Sequence, residues 1–413
     1  MTDKEQILDT LINHYLTSDY NGMHLDSLNE YDSDILCTLI DENYVEVLSS
    51  DDVLNPYIKG FEIQTNKEQQ KNYILSKADC VLYPSKIALE KIDNEDSKPY
   101  TNLMRKGSPQ FNIIYFNIEI LDRYFDNPKF LIYDCGYRGM ICPKDEFCDD
   151  PAIENEYIRD YGMAYIREEK LNRAIGVFVY DLAKLSAKKQ QLWHYFELEN
   201  QNNCIIHYNF IKNLIQGEWA TDIWIFDALI DEIAVINNLC SAISIPPLFN
   251  HTFGYEPYER PYGYRTIFYP TKKNYYDFIT VLEKMVVHNL SYDTFTAPAK
   301  YIRTVERKDE NGKEKGTLQM LEEWLSKNTS ASISSIKTVI IAPLRKIRKI
   351  RQSPAHKIYG NEYDIKYYTD QQEIMSDTYI SIANIRKLLS SHPLAKHVEI
   401  PDYLIDGSKI VQI

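Results

Sequence analysis

Signatures that would name a cofactor are missing from this sequence. It contains no G-x-G-x-x-G, no G-x-x-x-x-G-K-[ST], no H-E-x-x-H and no G-x-S-x-G. A glycine-cradled nucleotide, a metalloprotease helix and a hydrolase elbow are therefore unsupported. No stretch reaches the roughly 18 apolar residues that a membrane span requires. The acidic, amphipathic start MTDKEQILDTLI lacks the basic-then-apolar order of a signal peptide. The expected location is the cytoplasm, with no membrane partner. Cysteine is present but unpatterned: there are seven, an odd number, with no C-x-x-C. Cys142 and Cys148, in ICPKDEFCD, have no histidine near them in the sequence. Free thiols are expected, and neither a metal nor any other cofactor is called for. Positive charge is also in deficit, with a formal net charge of −14. That argues against a surface that tracks a nucleic-acid backbone throughout, and leaves room for one local basic site.

What is present fits a multidomain α+β protein. With 413 residues, 44% of them hydrophobic and 26% charged, the chain is long enough for two or three ordinary cores. Residues 1–62 read as a winged-helix-like module. DKEQILDTLINHYL has the spacing of one helical face with Asp3 as N-cap, DSDILCTLIDE follows as a second helix, and YVEVLS and YIKGFEI alternate like two wing strands. Its reader helix would carry Asp32, Asp34, Asp41 and Glu42 with no Lys or Arg, which disfavours DNA and favours docking to a partner protein. Residues 63–215 read as a central mixed α/β region, with a strand–turn–strand at KFLIYDCGYRGMICP and an apolar strand at AIGVFV. Residues 216–413 turn helical, with five helices joined by loops, and are expected to form a bundle.

One helix in that bundle stands out. In SSIKTVIIAPLRKIRKIR, residues Ile336, Val339, Ile340, Leu344, Ile347 and Ile350 recur at three- and four-residue steps and are expected to face the core. Lys337, Arg345, Lys346, Arg348, Lys349 and Arg351 occupy the other directions. Pro343 predicts a kink or a fresh helix start, and Pro354 a second stop that turns His356 back toward Arg351. An arginine and a histidine so placed have a use in RNA cleavage. The imidazole titrates near neutrality and moves protons to and from the ribose 2′-OH or the leaving 5′-oxygen. The guanidinium grips two oxygens of the pentacoordinate phosphorus. Spacing alone is weak evidence, since chance supplies roughly one such pair in a chain of this composition. A second match, Arg386 and His392 in IRKLLSSHP, reads instead as the basic end of a helix.

A helical bundle with Arg351 and His356 in RQSPAH on a late helix resembles the HEPN superfamily. The position after the motif arginine, commonly Asn, Asp or His there, is Gln352 here, and Pro354 lies inside the motif. The resemblance implies a metal-independent endoribonuclease acting as a homodimer, of the kind that serves as a toxin or in anti-phage defence under a restraining protein partner. It also implies that Arg351 and His356 are catalytic and that RNA is the substrate. Arg345, Arg348, Lys349 and Lys357 would then guide the RNA backbone, with Gln352, Glu232 and Tyr359 as supporting candidates. The full chain is similar as well to a group of bacterial proteins sharing the blocks DLAKLS, QQLW, GTLQMLEEWL and RQSPAHKI, a likeness that carries no activity. The rival reading is a non-enzymatic regulator or scaffold whose winged helix binds DNA or protein and whose bundle is an inactive nucleic-acid binder.

Other polar groups have plainer expectations. Glu197 and Glu199 beside Trp193 and His194 could form an acid–base group or an aromatic strand end. Glu232 and Asn237 in an apolar helix are expected to satisfy buried backbone or a basic partner. His288 and Asn289 read as a helix cap, and Asp364, Tyr367 and Gln371 as loop and helix-start residues or substrate contacts.

Overall fold

A computed structural model describes residues 2–18, 20–53, 55–59, 63–90, 95–167, 172–256, 258–352 and 360–412, with the backbone alone at 215 and 216. The chain divides into two compact units, Met1–Leu131 with Met140–Ile206, and Ile132–Gly139 with His207–Ile413. The break expected at 215 lies near the junction between Ile206 and His207, and the one expected at 62 falls within the first unit. Among the described residues, no helix is long and apolar enough to cross a membrane.

The first unit opens with α1 (Asp3–Thr17), which buries Ile7, Leu11 and Tyr15. Its cap is Thr2, one residue before the expected Asp3. The Thr2 side chain accepts the Glu5 N–H while the Glu5 carboxylate accepts the Thr2 N–H, a reciprocal box that satisfies two helix-opening donors. After α2 (Ser33–Asp41), β2 (Val45–Ser49) and α3 (Lys67–Leu75), the expected wing takes another form. The described residues of YIKGFEI form no strand. Instead β2 pairs antiparallel with β3 (Cys80–Pro84), which is central between β2 and the short β1 (Met23–His24). CVLYP is apolar and buried at every position, as a strand covered on both faces requires. Lys59 of YIKGFEI pairs with Glu46 of β2 through its side chain, at 2.5 Å.

The second sheet runs β4 (Ile113–Asn117), β8 (Arg173–Phe178), β7 (Asp160–Ile166), β6 (Arg138–Pro143), β5 (Phe130–Asp134), with β9 (Cys204–Ile206) also on β7. Beside it, α4 (Pro99–Arg105) lacks a side-chain cap of its own. The buried Gln190 amide, from α5 (Ala187–Tyr195), accepts the Tyr100 and Thr101 N–H groups at 3.1 and 3.2 Å in its place.

The second unit is helical, with a two-stranded parallel pair, β10 (Ile223–Trp224) and β11 (Ile410–Val411), bringing the end of the chain back to its first helix. Its long helices among the described residues are α6 (Ile225–Ala242), α7 (Lys272–Glu283), α8 (Thr317–Asn328), α9 (Ala342–Gln352) and α10 (Lys366–Ser390). Leu229, Ile236, Ile279, Leu321, Ile347 and Ile382, each 0% exposed, place one continuous core among the five. Pro343 is the second residue of α9 and so occupies its first turn, one of the two placements expected for it. A π-helical turn, Ile336–Ile341, precedes α9 directly. Proline lacks the N–H for an i→i−4 bond and crowds the carbonyl four residues back, and the wider i→i+5 turn absorbs both. The Ile340 carbonyl there accepts the Ser381 hydroxyl at 2.7 Å.

Candidate nucleic-acid interface

The periodicity of α9 decides its two faces. Ile336, Ile340, Leu344 and Ile347 are buried, and Val339 and Ile350 half-buried. Full burial of Leu344 and Ile347 contributes about 1.5–3 kcal/mol each, enough to hold the helix orientation. Arg345, Arg348, Lys349 and Gln352 follow at three- and four-residue steps, so they share a face directed away from that core.

The six cations divide into two sets. Arg345 donates to Glu322 of α8 at 2.7 Å, and Lys337 lies 3.6 Å from the same carboxylate. Lys346 is held by Glu373 at 2.5 Å and Asp377 at 3.1 Å, both on α10, which raises its pKa. Arg348, Lys349 and Arg351 have no carboxylate partner among the described residues. Arg348 and Arg351 are half-buried, and Lys349 is exposed.

Arg345, Arg348, Lys349 and Gln352 line one side of an open cavity of ≈ 320 Å³, and Gly316, Leu318 and Gln319 line the other. That other side belongs to the start of α8. Gly316 is the N-cap and offers no side chain to the opening N–H groups, which no residue inside a helix can accept. A Cβ at Gly316 would stand 3.9 Å from Arg348 Nη1, so the guanidinium sits close to that helix end. A helix N-terminus and two cations without a carboxylate partner among the described residues thus face one small volume, an arrangement that attracts a phosphate.

His356, Lys357 and Tyr359 lie outside the described residues. Gln352 ends α9 and lines the cavity, whereas Arg351, one residue earlier, is not among the lining residues. Glu232 is elsewhere: it is 0% exposed on α6, and its carboxylate accepts the Arg386 guanidinium at 2.6 Å and the Tyr379 hydroxyl at 3.4 Å. Burial raises its pKa, against the pull of Arg386. The same contact explains the second Arg–His match. Arg386 is a core cation that also donates to the Leu404 carbonyl, while the His392 ring accepts the Leu394 N–H and opens the next turn.

The remaining expectations fall to structural roles or to the first unit. Asn237 bonds both the N–H and the carbonyl of Phe249. Gln371 accepts the Ile267 N–H and donates to the Arg265 carbonyl, Tyr367 donates to Glu362 at 2.6 Å, and Asp364 pairs with Lys366. The His288 imidazole lies 3.1 Å from the fully buried Glu283 carboxylate. In the first unit, Glu197 takes the Tyr100 hydroxyl at 3.0 Å and His194 at 2.9 Å, and Trp193 is buried beneath them. Among the described residues, no group of three or more His, Cys, Asp or Glu is placed to hold a metal, and all seven cysteines are free.

Sequence reasoning missed the α8 half of the cavity. The glycine ahead of TLQMLEEWL was a visible sign of an uncapped helix start, but nothing local tells which helix it meets. No protein-family model matches the chain, and comparison with curated proteins and with solved structures finds no match either.

Proposed function

We propose that the second unit binds RNA along α9 and cleaves it as a metal-independent endoribonuclease of the HEPN kind. One observation carries the reading. In a chain of net charge −14, Arg348, Lys349 and Arg351 stand on one helix without carboxylate partners among the described residues, and the first two line an open cavity. Keeping cations unneutralised in so acidic a body makes sense where a polyanion supplies the counter-charge.

In this reading His356 accepts the proton of the ribose 2′-OH as the 2′-oxygen attacks phosphorus. The P–O5′ bond breaks, the 5′-oxygen takes a proton from solvent water as it leaves, a 2′,3′-cyclic phosphate remains, and protonated His356 returns its proton to solvent. Arg351 supports the charge that builds on the non-bridging oxygens, and Arg348 with Lys349 holds a neighbouring phosphate. The test is incubation of RNA with the full chain in EDTA, beside His356→Ala and Arg351→Ala. Cleavage that persists in the chelator and falls about 10²–10⁴-fold in His356→Ala supports the enzyme. RNA bound equally well by all three and cut by none leaves a binding module without nuclease activity.

A further inference from the structure

The cavity between α8 and α9 carries more positive charge than one linkage of an RNA strand neutralises. Arg345 is already held by Glu322, so the uncompensated cations on its wall are Arg348 and Lys349. The opposite wall adds backbone donors. The Gln319 and Met320 N–H groups of α8 both turn back to the Gly316 carbonyl, at 3.0 Å each. The Thr317 and Leu318 N–H groups have no acceptor among the described residues, and Leu318 lines the cavity. The half-buried Arg348 reaches the same helix end, its Nη1 standing 3.9 Å from the place a Gly316 Cβ would take. A cation at the positive end of a helix is electrostatically unfavourable, and an anion between the two relieves both.

We infer that this cavity takes the terminal phosphomonoester of an RNA strand, and not an internal linkage, on Arg348, Lys349 and the opening N–H groups of α8. Charge selects the ligand. An internal phosphodiester brings one negative charge on two non-bridging oxygens, which leaves one of the two cations unmatched. A phosphomonoester brings about −1.5 to −2 at neutral pH and three strong acceptor oxygens, enough for both cations and for the backbone donors opposite. Size agrees: at ≈ 320 Å³ the cavity is at the small end of the ligand-site range of about 300–1,000 Å³, which suits one strand end. The charge also continues beyond the cavity. Arg351 lies three residues after Arg348, about 4.5 Å of helix rise, where the next phosphate of the same strand meets it. A ligand with repeated phosphates uses that second cation, and a single phosphorylated side chain of a protein does not.

The inference rests on the RNA reading of the cavity, and the two can fail separately. A 2′-O-methyl strand, which lacks the attacking hydroxyl, lets binding be read without cleavage. One internally labelled sequence is titrated with the full chain by fluorescence anisotropy in three forms: 5′-phosphate, 3′-phosphate, and hydroxyl at both ends. Inorganic phosphate and a phosphoserine peptide are separate ligands, read by competition. The series is repeated with Arg348→Ala and Lys349→Gln, with thermal melts showing that each variant folds. One phosphorylated form is expected to bind about tenfold more tightly than the hydroxyl form, the scale of an added charged hydrogen bond. Each variant should remove most of that advantage. The advantage should also shrink as pH falls from about 7.5 to about 5, because the second pKa of a phosphomonoester is about 6. Equal binding of the three forms, or an advantage that survives both variants or ignores pH, overturns the inference and leaves RNA binding standing. Binding of no strand overturns both. Inorganic phosphate or the phosphopeptide bound as tightly as the phosphorylated strand overturns the RNA end as the source.

Discussion

Replacing Arg348 by alanine should flatten the salt dependence of RNA binding by a predictable step. Three cations on α9, Arg348, Lys349 and Arg351, lack carboxylate partners among the described residues, while Arg345 and Lys346 are held by Glu322, Glu373 and Asp377. Each phosphate neutralised on a single strand releases counterions and contributes about −0.7 to the slope of log affinity against log salt. Three contacts give a slope of about −2, or about a 20-fold loss of affinity between about 50 and about 200 mM salt. With Arg348 removed, two remain, the slope falls to about −1.4, and the same salt step costs about 7-fold. Arg345→Ala is the control. Its charge is already committed to Glu322, which keeps Lys337 at 3.6 Å, so the slope should stay near the wild-type value. The assay is fluorescence anisotropy of a labelled oligoribonucleotide across a potassium chloride series. A slope unchanged by Arg348→Ala, or lowered as much by Arg345→Ala, would refute the division of the six cations into free and neutralised sets.

Two further outcomes follow from the core of the second unit. Glu232→Ala strands the Arg386 charge, 3% exposed, and should destabilise the protein by about 3–5 kcal/mol in urea unfolding, while an apolar pair at both positions should recover most of that; equal loss in the single and paired variants would contradict it. Asp227, ion-paired with Arg260, has its pKa pushed up to about 6 by burial, which outweighs the pull of the guanidinium. A carboxyl whose folded pKa lies above its unfolded value stabilises the fold at low pH and loses that contribution as pH rises through the folded value. Wild type should therefore lose ground to Asp227→Asn as pH rises from about 4 to above 6, and the opposite drift would contradict the burial argument.

The sequence was most legible where a local pattern decides the structure. The two faces of α9 were read from periodicity because Leu344 and Ile347 repeat against the cations at helical spacing. The strand–turn–strand of β5 and β6 was readable for the same reason. Pairing across the chain was not. YVEVLS and YIKGFEI are neighbours with matching alternation, yet β2 pairs with CVLYP, an apolar run that local pattern cannot tell from buried helix. Nor does anything near Arg345 or Lys346 disclose that Glu322, Glu373 and Asp377 neutralise them from other helices. The basic helix was thus visible at once, while the smaller set of cations that remains for a ligand emerges only from tertiary contacts. Glu232 shows the same limit, since its partner Arg386 is 154 residues away.

The proposed RNA chemistry runs through the 2′-hydroxyl at Arg351 and His356. Its most direct test compares one oligoribonucleotide with its 2′-O-methyl counterpart in single-turnover reactions containing EDTA, with binding read on the same samples. Both should bind, only the ribose form should be cut, and the products should carry a 2′,3′-cyclic phosphate and a 5′-hydroxyl. Cleavage of the 2′-O-methyl strand, or a bound ribose strand that stays intact, would contradict it.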